Sequence, residues 1–200
     1  MKITTDANCF LALRLESGAI DRLAAVSERL QAWGLSAAWT NPADFHVTLQ
    51  FLGKLSVDEV ELIPEAIDLV ASHLRRPTGL RFAGLGATGG RDHPRAVFAA
   101  LSDPSGACAG LAADLAESLG EDATFKPPHV TICRPLDGPA SGPGGTWTDL
   151  LAAHGEANWG PCAITHLALC RSGPGTPRYR ELRRWVLAGR ADSGFQDGPA

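Results

Sequence analysis

The chain has 200 residues, of which 44% are hydrophobic and 20% are charged, and its formal net charge is −4. This composition supports a hydrophobic core and argues against a chain that is disordered throughout. A net negative charge is also unlike that of proteins that coat nucleic acids through a broad basic face. Any contact with a nucleic acid is therefore expected to be local, in a small basic pocket.

The cysteine pattern and the N-terminus indicate a reducing compartment. The five cysteines form no C-x-x-C pair, which predicts reduced, mostly buried thiols and neither a zinc site nor a redox motif. The N-terminus has no apolar run of signal-peptide length, and no stretch is long and apolar enough to span a membrane. We therefore expect a cytoplasmic protein without a membrane partner.

The first half of the chain begins with a predicted apolar strand at 9–15. An amphipathic helix follows over 20–30 and ends at Gly34. A second strand is predicted at 45–52. Ser56 and Glu59 then form a capping box, which opens a second helix whose apolar face continues to Leu74.

The second half begins with two short strands at 80–85 and 96–101, separated by a glycine-rich turn. Asp103 as N-cap and Pro104 as first residue predict the start of a third helix, which ends at Gly120. The remaining predicted elements are a strand at 129–133, a surface loop at 135–145, a short helix at 147–153 and strands at 162–170 and 180–187. Interspersed helices and hairpins favour an α+β fold with largely antiparallel sheets.

The segment 84–89 matches the dinucleotide-binding pattern G-x-G-x-x-G. A true fingerprint follows a strand and opens a helix, whose N-terminus holds the pyrophosphate. Here the glycines run into a turn and a second strand, so we interpret the segment as part of a hairpin.

A short motif occurs twice, each time within a predicted strand. Residues 45–49 have the sequence Phe-His-Val-Thr-Leu and residues 128–132 have the sequence Pro-His-Val-Thr-Ile. Because side chains alternate between the faces of a strand, each copy presents an imidazole and a hydroxyl on one face and apolar side chains on the other. The pairs are His46 with Thr48, and His129 with Thr131.

These residue types suit phosphodiester chemistry. One imidazole can activate water while another protonates the leaving oxygen near neutral pH. Threonine hydroxyls can donate to the non-bridging oxygens, where charge builds up. No grouping of His, Asp and Glu at metal-ligand spacing is present in the sequence, so we expect no metal and no other cofactor.

Cationic and aromatic side chains near the two motifs are further candidates. Arg134 is a candidate phosphate ligand, although simple alternation places it one residue off the face of His129 and Thr131. Further cationic candidates are Lys126, Arg171, Arg178 and Arg180, since arginine forms a planar fork that suits phosphate. The aromatic candidates for stacking on a base are Trp39, Phe45 and Tyr179.

With these motifs the sequence resembles the two-histidine phosphoesterase superfamily, and within it the LigT-like RNA 2′,3′-cyclic phosphodiesterases, also called 2′-5′ RNA ligases. The resemblance lies in the segments 46–53 and 128–134, with support from 9–13 and 178–185. It implies two pseudo-symmetric lobes, each a mostly antiparallel sheet with helices on its outer face, and an active cleft between them. The expected domain spans 1–188, with a flexible tail at 189–200.

The resemblance also implies a reaction. The expected reaction is hydrolysis of RNA 2′,3′-cyclic phosphate ends to 2′-phosphate ends without a metal or cofactor. By analogy, His46 is the proton donor and His129 the proton acceptor, although the residues themselves do not assign these roles. The substrate would be an RNA end or a short oligonucleotide, bound by a monomer.

Three alternatives remain open from the sequence. The first is a relative that cleaves or joins 2′-5′ linkages, or opens small cyclic nucleotides, with the same residues. The second is an RNA-end-binding module whose histidines do no catalysis. The third is a structural α+β protein in which the two motifs are coincidental, and a structure with the two imidazoles on opposite sides of the molecule would support it.

Overall fold

Two antiparallel sheets carry the fold, and each belongs to one lobe. The computed structural model describes residues 4–138 and 141–189. The first sheet has the strand order β11-β10-β1-β3, and the second has the order β2-β6-β5-β4-β9. The bounds of these strands are β1 Thr4–Leu15, β2 Ala37–Trp39, β3 His46–Ser56, β4 Arg81–Gly89, β5 Pro94–Ser102, β6 His129–Pro135, β9 Asn158–Pro161, β10 Ile164–Ser172 and β11 Tyr179–Trp185.

Helices cover these sheets on the side of the hydrophobic core. Their bounds are α1 Ser17–Gln31, α2 Val57–Val70, α3 Ala107–Leu119 and α4 Trp147–His154. α2 and α3 contact β3 of the first sheet, whereas α1 contacts β9 and α4 contacts β4 of the second sheet. Each lobe therefore combines elements from both halves of the chain. The α+β class and the antiparallel sheets agree with the sequence-based prediction.

The start of α3 differs from the prediction. The helix begins at Ala107 after Gly106, which has a φ of 68°, and Pro104 lies outside it. Asp103 still caps the helix, because its carboxylate accepts from the backbone N–H groups of Ala107 and Cys108 at 3.2 and 2.8 Å. The error arose because the turn before the helix contains a left-handed residue, and glycine adopts that conformation without strain.

Other predicted boundaries also shift. The predicted capping box of α2 is confirmed, since the Ser56 and Glu59 side chains each bind the other's backbone N–H, but the helix ends at Val70. The glycine-rich segment 84–89 lies in β4, which pairs with β5 as a hairpin. Part of the predicted loop 135–145 forms a small hairpin of β7 Ser141–Gly142 and β8 Gly145–Thr146. The predicted tail lies outside the described residues, except for Gly189.

The five cysteines are free and buried, as their spacing predicts. Burial raises the pKa of the Cys133 and Cys162 thiols to about 12, so both are inert packing groups at neutral pH. Among the described residues, no helix combines the length and the apolarity that crossing a membrane requires.

Candidate active site

β3 and β6, the strands that carry the two motifs, contact each other across the two sheets. A cavity of about 660 Å³ opens between them. It brings together eight of the predicted site residues. They are His46, Thr48, Lys126, His129, Thr131, Arg134, Arg178 and Tyr179.

An irregularity in β6 explains how Arg134 reaches the cavity. Adjacent residues of β5, Val97 and Phe98, pair with Cys133 and Thr131, so Ile132 is skipped. This β-bulge resets the alternation, and Ile132 and Cys133 both become buried. Arg134 therefore joins the face of Thr131, which simple alternation did not predict.

β3 has the same bulge after its own motif. Leu11 and Ala12 of β1 pair with Gln50 and Thr48, so Leu49 is skipped. Leu49 and Gln50 are both buried, and the next residue, Phe51, turns towards the cavity with 52% of its surface exposed. The two lobes thus repeat one local structure, with Phe51 in the first lobe at the position of Arg134 in the second.

Both histidines are oriented by the backbone in the same way. The Nδ1 of His46 lies 2.6 Å from the carbonyl oxygen of Asp44, and the Nδ1 of His129 lies 2.8 Å from that of Pro127. A carbonyl accepts but cannot donate, so Nδ1 carries the proton in each ring. The Nε2 atom of each neutral imidazole is therefore left with its lone pair for chemistry.

Aromatic contacts hold the rings further. The rings of His46, Phe10 and Tyr179 contact one another, with centroid distances of 5.0 Å from His46 to each of the other two and 5.1 Å between Phe10 and Tyr179. The ring of His129 packs against Phe98 at 4.6 Å. These contacts restrict rotation of both imidazoles, which favours a fixed geometry between them and a bound phosphate.

Burial lowers the pKa of His46 from its usual 6.5 to about 4. The hydrogen bond to the Asp44 carbonyl and the negative charge of its carboxylate partly offset this effect, whereas the positive charge of Arg14 acts in the same direction as burial. His46 is therefore neutral in the free site near pH 7. A bound phosphate would raise its pKa, because a nearby negative charge favours the protonated form.

Asp44 is a buried carboxylate that the sequence analysis did not single out. It is only 4% exposed, and its two carboxylate oxygens accept from the backbone N–H groups of Arg178 and Tyr179 at 2.8 and 2.9 Å. Through its own carbonyl it also orients His46. Asp44 thus couples one catalytic candidate to the start of β11, on the wall of the cavity.

Gln50 fixes the opposite wall. Its side chain is 1% exposed, and its Oε1 accepts from the backbone N–H and the hydroxyl of Thr124 at 3.1 and 3.2 Å. Its Nε2 donates to the carbonyl oxygen of Asp122 at 3.0 Å. These bonds tie the segment before β6 to β3, and so place Phe125 and Lys126 at the cavity.

Two of the predicted aromatic contacts do not line this cavity, namely Phe45 and Trp39. Phe45, which immediately precedes β3, is fully buried in the hydrophobic core, so it cannot stack on a substrate. Trp39 lines an adjoining cavity of about 310 Å³, which shares His46 and Thr131 with the first. Cavity-lining residues that the sequence analysis missed are Asn8, Phe10, Phe51, Thr124, Phe125 and Ser172.

The described residues contain no cluster of three or more His, Cys, Asp or Glu side chains that could hold a metal ion. The cavity does contain two oriented imidazoles, the hydroxyls of Thr48 and Thr131 beside them, and three cationic side chains. This set can bind a phosphate and exchange protons on both sides of it.

Comparisons with known proteins bear on the family and on the fold. The family described as LigT like Phosphoesterase matches residues 13–98. An RNA 2′,3′-cyclic phosphodiesterase of Geobacillus stearothermophilus is 28% identical over 195 residues, covering 94% of this chain but only 60% of that protein. An RNA 2′,3′-cyclic phosphodiesterase of Aquifex aeolicus is 26% identical over 160 residues, covering 76% of this chain and 82% of the relative.

Solved structures share the fold. TT0787 of Thermus thermophilus has a TM-score of 0.68 at 23% identity, with 90% of this chain and 97% of that chain covered. LigT of E. coli, solved with phosphate, has a TM-score of 0.61 at 21% identity, with 91% and 98% covered. At these identities the match is one of architecture.

Proposed function

Since the LigT like Phosphoesterase family matches residues 13–98 and two RNA 2′,3′-cyclic phosphodiesterases match most of the chain, we propose that the chain is a member of this family. We propose that it hydrolyses RNA 2′,3′-cyclic phosphate ends to 2′-phosphate ends by a metal-independent, two-histidine mechanism. The observation that supports this proposal most directly is the repeated local structure of β3 and β6. It lines one cavity with two imidazoles and two threonine hydroxyls. Imidazoles on opposite sides of the molecule would have supported the alternative in which the motifs are coincidental, whereas His46 and His129 line one cavity.

The proposed reaction breaks the bond between phosphorus and the 3′ oxygen. His129 accepts a proton from water through its Nε2, and the water oxygen forms the new bond to phosphorus. His46 gives its proton to the leaving 3′ oxygen, so that a 2′-phosphate and a 3′ hydroxyl result. The hydroxyls of Thr48 and Thr131 and the guanidinium of Arg134 stabilise the non-bridging oxygens, which carry the developing charge.

The lowered pKa of His46 adds a condition to this mechanism. A proton donor must be protonated when the substrate is bound, whereas free His46 is neutral near pH 7. In the proposed mechanism His46 therefore takes up a proton as the phosphate binds.

The relatives named above support RNA as the substrate class. Lys126 and Arg178 lie beside the two motifs in the cavity and supply further positive charge. The cavity is built from one chain, so the proposal requires no second copy.

The decisive experiment uses chelator-treated protein and an oligonucleotide that ends in a 2′,3′-cyclic phosphate. We expect turnover without added metal, with the product phosphate on the 2′ oxygen. His46→Ala and His129→Ala should each lower the rate by about two to four orders of magnitude. His73→Ala, which removes an exposed histidine outside the cavity, is the matched control and should retain full activity.

Each alternative predicts a different outcome. Faster turnover of a 2′-5′-linked dinucleotide or of a small cyclic nucleotide than of cyclic-ended RNA would overturn the proposed substrate. Binding of RNA ends without turnover, unchanged in both histidine variants, would indicate a binding module. A 3′-phosphate product would show that the other ring bond breaks and would contradict the proposed geometry.

A further inference from the structure

The hairpin of β10 and β11 carries two kinds of arginine. Arg183 pairs with Asp68 at 3.3 Å, and Arg184 pairs with Glu181 at 2.9 Å. Arg171, Arg178 and Arg180 differ, since no carboxylate whose position the structure describes lies within ion-pair distance of any of them. Three cations without an ion-pair partner among the described residues therefore lie close together on a protein whose net charge is −4.

The sheet register makes this arrangement costly. Arg171 and Arg180 are directly paired across β10 and β11. Like charges at directly opposed positions of an antiparallel sheet are destabilising. Neither the fold nor an ion pair explains why two arginines occupy this pair, whereas an anionic ligand would stabilise both.

The position of these arginines points to the kind of anion. Together with Ala7, Ser172, Gly173 and the two prolines of the turn, they line a cavity of about 700 Å³. This cavity shares Ser172 and Arg178 with the candidate active site. By the register of β10 and β11, Arg171 and Arg180 lie on the opposite sheet face from Ser172 and Tyr179. A chain bound in the active-site cavity could reach them by continuing over Arg178 and round the turn between the two strands, which also lines this cavity.

We infer that Arg171 and Arg180 bind the backbone phosphates of the nucleotides that precede the reacting end, so that the preferred substrate is a single-stranded oligonucleotide with a cyclic end. The inference rests on the proposed function, because it extends the same site. A positively charged groove that follows the backbone is the usual means of binding single strands without reading their sequence. A cyclic mononucleotide has no preceding phosphate and cannot use these contacts.

The test compares two substrates that share one reacting end: adenosine 2′,3′-cyclic phosphate and a tetranucleotide that ends in the same group. We expect the wild-type protein to have the higher kcat/KM for the tetranucleotide. The double variant Arg171→Gln/Arg180→Gln should lower kcat/KM for the tetranucleotide about 10- to 100-fold, from the usual strength of charge-assisted hydrogen bonds. The value for the mononucleotide should not change.

Salt dependence gives an independent measurement. For single strands, log K falls with log salt by about 0.7 per neutralised phosphate. We therefore consider the slope of log K for the tetranucleotide against log salt. This slope should be shallower by about 1.4 in the double variant than in the wild type, because two phosphate contacts are lost. The matched control is Arg29→Gln, which removes an exposed cation of α1 outside these cavities. It should leave the salt slope for the tetranucleotide at its wild-type value.

Protein stability separates binding from a structural role. Because the substitution relieves a repulsive pair, the thermal midpoint of the double variant should equal or exceed that of the wild type. A lowered midpoint with equal losses on both substrates would overturn the inference, since the arginines would then serve the fold. Equal kcat/KM of the wild type for the two substrates would also overturn it.

Failure of the proposed function can be recognised separately. If the wild type hydrolyses neither cyclic-ended substrate, that function is wrong, and the arginines are tested by fluorescence anisotropy with a labelled tetranucleotide bearing a 3′-phosphate. Tighter binding by the wild type than by the double variant supports the inference even then. Equal binding by both proteins overturns it.

Discussion

The carboxylate of Asp44 accepts a hydrogen bond from the backbone N–H of Tyr179 at 2.9 Å, while the ring of Tyr179 packs edge-on against His46. Asp44 and His46 are themselves joined through the Asp44 carbonyl. Three residues from two distant segments of the chain therefore form one unit around the His46 imidazole. Removal of the carboxylate should disturb this unit without touching a group that meets the phosphate.

Asp44→Ala should reduce both stability and activity. The substitution leaves the N–H groups of Arg178 and Tyr179 without their acceptor, which should lower the free energy of unfolding by about 3 kcal/mol. Since β11 then loses its anchor beside His46, kcat/KM should fall about 10- to 100-fold, because small displacements in a catalytic site are costly. Urea unfolding and steady-state kinetics on a cyclic-ended oligonucleotide measure the two effects.

Asp103→Ala is the matched control. Asp103 also accepts from two backbone N–H groups, at the start of α3, but it lies outside the candidate active site. Its replacement should lower the free energy of unfolding by about 1–2 kcal/mol, as for a lost helix cap, and leave kcat/KM unchanged. If both variants lost activity in proportion to stability, the positioning role of Asp44 would be refuted.

The motifs were predictable from the sequence because strand alternation is a local rule. It placed His46 with Thr48 and His129 with Thr131, and the structure has both pairs facing one cavity. The same rule placed Phe45 on the opposite face, where it is buried, so its candidacy as a substrate contact already conflicted with the pattern.

The bulges could not be predicted in this way. They depend on how β1 and β5 pair with the motif strands, a long-range property that alternation within one strand does not contain. They decide that Arg134 and Phe51 face the cavity. The short strands β2 and β9 were missed for a related reason, because three or four residues carry too little pattern.

Phe51 is the residue whose role follows from the bulge in β3. Because it is 52% exposed at the cavity, Phe51→Ala should change stability by less than about 0.5 kcal/mol. If its ring stacks on the terminal base, kcat/KM should fall about tenfold, mainly through a higher KM, since a stacked base is worth about 1–3 kcal/mol. Phe51→Tyr should restore the wild-type KM.

The control for this substitution removes an exposed apolar side chain outside the cavity. Leu69 of α2 is 82% exposed and outside the cavity, so Leu69→Ala should leave KM unchanged. A KM for Phe51→Ala that equals the wild-type value would exclude stacking on Phe51. Phe125, which also lines the cavity, would then be the next aromatic side chain to replace.

The pKa of His46 predicts a coupling between protonation and binding. Near pH 7, the free imidazole is neutral because burial lowers its pKa to about 4. If His46 is the proton donor, binding of a phosphodiester should take up close to one proton per site. Calorimetry with a 3′-5′-linked dinucleotide, in two buffers of different ionisation enthalpy, measures this number, and the diester itself does not titrate there.

His46→Gln should abolish this proton uptake, whereas a His73→Gln control should retain it. Wild-type protein that binds the dinucleotide without proton uptake would contradict the donor role of His46. In that case the neutral imidazole, with its free Nε2, would be the better proton acceptor, and His129 would become the donor.

The same lowered pKa also predicts how stability depends on pH. Unfolding exposes His46 and returns its pKa to the usual 6.5 from about 4, so the unfolded chain binds more protons between these values. The contribution of His46 is therefore complete above about pH 6.5 and is lost as the pH falls towards 4, by up to about 3 kcal/mol. The wild type should consequently lose stability more steeply than His46→Gln between pH 7.5 and 4.5 in urea unfolding. Parallel losses in the two proteins would show that the His46 pKa is not lowered in the folded state, and the expected proton uptake on binding would then lose its basis.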